Sequence, residues 1–319
     1  MNILFLTHPY PNYVPDLLLH GLRKLIGPAV VDYPRKDCVY DGVLGLGVCP
    51  PNQLCPGWFP ADAGDIDRDD VPAKLKHGYF DLVVADWRAT LDAHADLARA
   101  AARLVLIDGE DRPTRIPPGN YLVCRRETDG CDYSIPLPMA LPEEILDWIV
   151  SYDGQPKTYP IGFLGSTHDG ARRRVIEALA CRYPDGLFSA SVVPSAANPL
   201  PEGRFGRDAY YRELQKCRVV LSLPGAGYDT FRFWENAACK SVHLAQQQPL
   251  FIPNDFGAGE SILRFCNLES MRFQLDSVLN ETRSYQDLIA EGRLNLFRFH
   301  LTTQRARYFL ERINIAFGG

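Results

Sequence analysis

The sequence predicts an α/β protein built as two domains, and three observations carry that prediction. Its 319 residues suit two domains of roughly 100–200 residues each. Short apolar runs of strand length alternate with segments of helical period along most of the chain. A proline-rich stretch, residues 112–160, interrupts the alternation, which then restarts. At 46% hydrophobic residues each half can bury a core, and a net charge of only −5 argues against disorder. The same acidic balance argues against a nucleic-acid binder held mainly by phosphate contacts.

In the first half, residues 2–7 read as a buried strand, residues 14–26 as a helix with Leu17, Leu18, Leu22, Leu25 and Ile26 on one face, and residues 29–32 as a second strand. Residues 33–72, rich in Pro, Gly, Cys and Asp, read as a long irregular excursion. Residues 80–85 (FDLVVA) are a strong strand, the Ala- and Leu-rich residues 89–102 a helix, and residues 103–107 the next strand. Short strands and a helix near residues 142–152 are expected inside the proline-rich linker. In the second half the strands are residues 159–164, 187–193, 218–223 and 241–245, with helices at 171–183, 208–216 and 230–239 and a largely helical tail at 284–315. The order strand, helix, strand implies parallel strands joined by crossover helices, and in open parallel sheets ligands bind beyond the carboxyl ends of the strands.

The nine cysteines are odd in number and include no CxxC pair, which reads as reduced, intracellular usage rather than a disulfide framework. Cys38, Cys49 and Cys55 lack the usual spacing of a zinc site. Residues 2–6 are too short an apolar run for a signal sequence or a membrane span, so a cytoplasmic protein with no membrane span is expected.

The segment Ser222 to His243 (SLPGAGYDTFRFWENAACKSVH) carries the sharpest chemistry. A buried strand runs into a turn whose Gly225 and Gly227 let backbone approach a ligand closely. Asp229 or Thr230 is placed to cap the next helix. The amino end of that helix favours an anion, and Arg232 in its first turn adds a bidentate cation for phosphate. Glu235, three residues on, shares a side with Arg232 and offers a carboxylate for the hydroxyls of a ribose; the bland alternative is an Arg232–Glu235 pair on a solvated helix face. A second strand-to-helix turn, Gly165, Ser166 and Thr167, followed by Arg172, offers further donors to a diphosphate.

The run from Tyr210 to Pro253 resembles the donor domain of GT-B-type glycosyltransferases, especially exostosin-like ones, at Pro224, Gly225, Gly227, Asp229, Arg232, Trp234, Glu235, Pro249 and Pro253. Cys239-Lys240-Ser241 replaces the glycine usual after the Glu-bearing helix. The resemblance implies two Rossmann-like domains facing across a cleft: an acceptor-side domain over residues 1–150, a nucleotide-sugar donor domain over 151–290, and a C-terminal helix at 291–319 packing back across the junction. It implies a hexosyl or pentosyl transferase with a nucleotide-diphosphate sugar as co-substrate, no other cofactor and no metal. The acceptor is left open between a small molecule, a glycan and a hydroxylated base in DNA, as are the donor's sugar and base, the stereochemical course and the oligomeric state.

The general base is sought in the first half, directly after strands: His8, Asp86 or Asp108. The acidic run at residues 65–70 (DIDRDD) reads as a solvated turn rather than a metal site. A dehydrogenase is disfavoured because no GxGxxG follows a strand, and a serine hydrolase because no GxSxG is present. A non-catalytic two-lobed nucleotide- or sugar-binding protein is the remaining alternative.

Overall fold

A computed structural model of the chain describes residues 1–40, 65–91, 94–166, 170–191, 206–280 and 284–318. The chain forms two compact units: Met1–Pro142 with Leu250–Pro253 and Leu301–Gly319, and Glu143–Pro249 with Asn254–His300. Along the first come β1 (Ile3–Leu6), α1 (Tyr13–Ile26), β2 (Val30–Tyr33), α2 (Val71–Lys76), β3 (Leu82–Asp86), α3 (Ala95–Ala100), β4 (Leu104–Asp108), β5 (Leu122–Arg125) and β6 (Ile135–Pro136). The second holds α4 (Glu143–Val150), β7 (Tyr159–Ser166), α5 (Gly170–Arg182), β8 (Leu187–Ser191), α6 (Arg207–Gln215), β9 (Cys217–Ser222), α7 (Phe231–Ala238), β10 (Val242–Gln246), β11 (Leu263–Phe265), α8 (Leu268–Leu279) and α9 (Gln286–Phe299). The last helix, α10 (Thr302–Ala316), belongs to the first unit.

The first sheet has strand order β2-β1-β3-β4-β5-β6, and all its pairings are parallel. The residues of β1, β3 and β4 are buried on both faces, as the unbroken apolar runs require. Leu4, Leu6, Val83, Ala85, Leu104 and Leu106 share one core layer with Val71 and Leu75 of α2. On α1, Gly21 meets the start of α10: a Cβ there would overlap the Thr302 carbonyl, so only glycine permits the helices to come this close. The second sheet, β11-β10-β9-β7-β8, is likewise parallel throughout. Its core joins Ile161, Phe163, Val219, Leu221, Val242 and Leu244 to Ile176 and Leu179 of α5 and Met271 and Leu275 of α8.

Each sheet winds outward in both directions from its first strand. The order reverses between β1 and β3 in one unit and between β7 and β9 in the other. At such a switch point the two flanking loops leave in opposite directions and open a crevice, the usual ligand position in doubly wound sheets.

Two sequence expectations change. The helix expected over residues 89–102 is a 3-10 turn at Trp87–Thr90 followed by the short α3. The Asp86 carboxylate accepts the Arg88 N–H at 3.0 Å and the Thr90 hydroxyl donates to the Trp87 carbonyl at 2.6 Å, local bonds that compete with a regular helix start. The proline-rich stretch is more than a connection, because β5 and β6 extend the first sheet by two strands through it. Within the irregular excursion, Arg68 of the acidic run donates to the buried Asp32 carboxylate at 2.7 Å, where Arg23 also binds at 2.8 Å. Cys49 and Cys55 lie outside the described residues. Among the described residues no helix is long and apolar enough to cross a membrane.

Candidate active site

At the switch point of the second unit, β7 ends in Gly165 and Ser166, and β9 ends at Ser222 before the turn Pro224-Gly225-Ala226-Gly227. The turn is closed by the Gly225 N–H donating to the Gly227 carbonyl at 2.8 Å, and Gly227 is buried. Helix α7 follows, with Thr230 in the extended N-cap conformation. The Thr230 side chain makes no capping bond; the Phe233 N–H donates to its carbonyl at 2.9 Å instead. Asp229 accepts the indole N–H of the fully buried Trp234 at 2.8 Å and so pins the turn to the helix.

Two arginines converge on the crevice at Phe163. The Arg232 guanidinium lies 4.8 Å from the centroid of that ring and the Arg172 guanidinium 5.7 Å. Their surroundings differ. Arg172 is buried and donates to backbone carbonyls at the ends of both strands, to Ser166 at 2.9 Å, Leu223 at 3.2 Å and Pro224 at 2.9 Å. It therefore ties the end of β7 to the end of β9 and sets the width of the crevice. A Cβ on Gly225 would sit 2.9 Å from its Nη2, so the glycine makes room for this tie.

Arg232 is half-buried and makes no hydrogen bond or ion pair among the described residues, and its Nε is shielded from solvent without an acceptor. Its guanidinium occupies the space where a Cβ on Gly165 would be, so glycine is required there too. The solvated-face alternative does not occur, because Arg232 is not paired with Glu235. Glu235 is buried and accepts hydrogen bonds from the Tyr210 hydroxyl at 2.9 Å and the Tyr211 hydroxyl at 2.8 Å. Burial and the neighbouring carboxylate push the Tyr210 phenol well above its ordinary value, so it stays a donor. Nothing in the sequence marked these two tyrosines, which reach Glu235 from α6. Thr167 lies outside the described residues.

Beneath the turn, the Ser222 hydroxyl is 2.8 Å from Nε2 of His243 and accepts from the Asn236 amide at 2.9 Å. Burial, reinforced by Arg264, lowers the His243 pKa to about 3, so the ring is neutral over the ordinary pH range.

The switch point of the first unit holds His8 after β1 and Asp86 at the end of β3. The loop carrying His8 is anchored by buried Lys36, whose ammonium donates to the His8 carbonyl at 2.7 Å, the Tyr10 carbonyl at 2.9 Å and the Asp16 carboxylate at 2.9 Å. Burial opposes that charge, but Asp16 prevails and holds Lys36 above the usual lysine value. Nδ1 of His8 accepts the Tyr10 N–H at 3.2 Å, so the neutral ring carries its proton on Nε2 and its other edge donates. Asp86 accepts from Arg88 through its N–H, Nε and Nη2 at 3.0, 3.1 and 2.8 Å. Asp108 accepts the Thr114 N–H at 2.8 Å and its hydroxyl at 3.2 Å, and holds the turn after β4. Of the arginines between 112 and 126, Arg125 and Arg126 are paired, with Asp132 at 3.3 Å and Asp111 at 2.9 Å.

Comparison with known proteins agrees with this geometry. Residues 172–311 match a family described as glycosyl transferase-like. The match begins at Arg172 and takes in the whole segment from β9 to α7. No curated protein has a matching sequence. Among solved structures, a glycosyltransferase from Rickettsia africae is similar over 100% of this chain and 99% of its own, at 13% identity and a TM-score of 0.62. HepE of Anabaena, solved in complex with UDP, is similar over 99% of this chain and 100% of its own, at 11% identity and a TM-score of 0.61. Sucrose-phosphate synthase of Thermosynechococcus elongatus is similar over 99% of each chain, at 12% identity and a TM-score of 0.52. At these identities the likeness is one of fold. The chain thus has the GT-B fold of two Rossmann-like domains, with a stretch over residues 172–311 that is similar to a glycosyl transferase-like family.

Proposed function

We propose that the protein transfers a sugar from a nucleotide-diphosphate donor to an acceptor hydroxyl. The observation that carries this reading is Arg232: a half-buried cation at a sheet switch point, held over a glycine, with no hydrogen bond or ion pair among the described residues. A charge so placed is best satisfied by an anion from outside the chain, and a diphosphate matches the planar fork of a guanidinium. The amino end of α7 and the glycine turn add donors and a favourable dipole to the same place. Glu235, oriented by two tyrosines, accepts from the ribose, since a carboxylate offers about four acceptor positions. HepE, similar in fold, has been solved with UDP and with UDP-glucose, which supports a uridine donor.

In the reaction the anomeric C–O bond to the diphosphate breaks, and the acceptor oxygen bonds to the anomeric carbon and passes its proton to water or to the leaving diphosphate. The leaving diphosphate carries the developing negative charge. Arg232 and the α7 dipole meet it, and in this reading no metal ion is needed. Arg172 is a positioning residue, because its hydrogen bonds go to the chain itself. On the acceptor side, Asp86 and Asp108 already hold Arg88 and Thr114, which leaves His8 as the residue proposed to meet the acceptor.

A thermal-shift screen with UDP, GDP, ADP, CDP and TDP and their common sugars tests the reading. A rise in melting temperature with one nucleotide, lost in Arg232→Met and in Glu235→Gln while both variants stay folded, is the expected result. No rise with any nucleotide at millimolar concentration overturns it.

A further inference from the structure

The loop over residues 126–134 leaves the carboxyl end of β5 and is built around Asp132. One oxygen of that carboxylate accepts the Thr128 hydroxyl at 3.0 Å and both the N–H and the hydroxyl of Ser134. The other accepts the Arg125 guanidinium at 3.3 Å. The Gly130 N–H donates to the Thr128 hydroxyl at 3.1 Å, and the Cys131 N–H to Asp129 at 2.9 Å. Gly130 is left-handed, with φ +82°, and its open face receives a ring: a Cβ there would lie 3.0 Å from Phe251. Phe251 belongs to the segment Leu250–Pro253 of the same unit, and its N–H donates to the Thr128 carbonyl at 2.8 Å.

Two aromatic rings thus stand out from one tightly bonded loop. Tyr133 is fully exposed and makes no hydrogen bond or ring contact among the described residues, and Phe251 is 48% exposed. Exposed rings on a fixed scaffold mark a binding surface, because they offer broad contact for little lost entropy. The charge of the loop narrows the partner. Residues 126–134 contain a single arginine, Arg126, against Glu127, Asp129 and Asp132, and that arginine is paired with Asp111 at 2.9 Å and Glu127 at 3.4 Å. Such a surface repels phosphates, which speaks against DNA and against acidic acceptors. A neutral sugar fits it: the C–H face of the ring lies on an aromatic face, and the hydroxyls donate to carboxylates.

The loop also continues the edge where the acceptor is placed. Arg126 donates to the Gly109 carbonyl at 3.2 Å and Arg125 to the Thr114 carbonyl at 3.0 Å, both in the loop after β4. Glu110 of that loop lies 3.5 Å from Arg88, which in turn donates to the Tyr10 carbonyl at 3.2 Å beside His8. From β1 to β5 is three strand spacings, roughly 14 Å, more than one sugar ring. We infer that Tyr133 and Phe251 form a platform for a neutral oligosaccharide acceptor, holding its distal rings while the reacting end lies near His8. This rests on the glycosyl-transfer reading and chooses a glycan among its acceptors.

An array of neutral and acidic mono-, tri- and pentasaccharides, probed with the full chain, tests the platform. The best ligand is then titrated by calorimetry at low and high salt against the wild type, Tyr133→Ala, Tyr133→Trp and Phe251→Ala, while the UDP thermal shift reports on the donor site. The expected result is a neutral oligosaccharide bound more tightly than its monosaccharide and insensitive to salt. Tyr133→Ala weakens it roughly tenfold or more, Tyr133→Trp retains it, and the UDP shift is the same in all four proteins. Equal binding by the wild type and both alanine variants would overturn the inference. So would selection of acidic glycans, or binding abolished by salt, which identifies a charged partner. If no glycan binds while UDP still raises the melting temperature, the platform falls and the donor reading stands; if UDP has no effect either, both fall.

Discussion

Replacing Gly165 by alanine puts a methyl group where the Arg232 guanidinium lies. The overlapping atoms are the far end of a flexible side chain, so the arginine swings away and the strand stays in place. The fold loses the contact with Phe163, about 0.5–1 kcal/mol for a cation over a ring, and the melting temperature moves little. Donor binding loses more. A guanidinium hydrogen-bonded to a diphosphate contributes about 1.5–3 kcal/mol, and at about 1.4 kcal/mol per decade UDP binding weakens roughly 10- to 150-fold. Titration calorimetry of UDP with the wild type, Gly165→Ala, Arg232→Ala and the double variant decides the matter. If alanine acts by displacing Arg232, its effect vanishes once Arg232 is gone, and the cycle shows a coupling of about 1.5–3 kcal/mol. Equal weakening in both backgrounds would mean that Gly165 acts through its own backbone. Unaltered UDP binding in Gly165→Ala would refute the placement of Arg232 on the donor.

Arg172→Met strips the carbonyls of Ser166, Leu223 and Pro224 of their donor and is expected to destabilise the protein by about 2–4 kcal/mol, read as a lower urea midpoint; an unchanged midpoint would remove the tie between the strands. His243 has a folded pKa of about 3 against an ordinary value of 6.5, so the unfolded chain binds the extra proton between those values. Its contribution is full above pH 6.5 and is lost as pH falls, by about 3 kcal/mol between pH 7 and pH 4. His243→Gln should flatten the pH profile of urea stability by that amount, and a profile parallel to wild type would contradict a neutral buried ring. Lys36→Met leaves Asp16, which burial already raises above the usual carboxylate range, without its counter-ion. The expected loss is about 3–5 kcal/mol near pH 8, shrinking toward pH 5 as Asp16 takes up a proton. A loss independent of pH would point to packing rather than charge.

The glycine turn after β9 was legible in the sequence because its parts are contiguous. Strand, glycine turn, helix start, Arg232 and Glu235 fall within a single run, and local spacing puts Arg232 and Glu235 on one side of α7. The parallel pairing of the main strands was legible for a related reason: a helix between two strands returns the chain to the same edge. The helix over residues 89–102 misled, because Asp86 and Thr90 close a tight turn that composition does not reveal.

The sequence by itself determined that apolar strands alternate with helices in two halves, and that one turn in the second half carries glycines, an arginine and a glutamate. Only the tertiary structure decided what those residues touch. Arg172 and Pro224 stand 52 positions apart, and Glu235 stands 25 from Tyr210, yet each pair is in hydrogen-bond contact. The strand order β11-β10-β9-β7-β8 brings them together by setting β9 beside β7. It likewise separates two arginines of like appearance, one engaged by carbonyls and one with no hydrogen bond or ion pair among the described residues. Hydrophobic pattern encodes which face of an element is buried, but not which element lies beside it. Neighbours are chosen by the packing of the whole sheet, so the partners of a buried charge are written only in three dimensions.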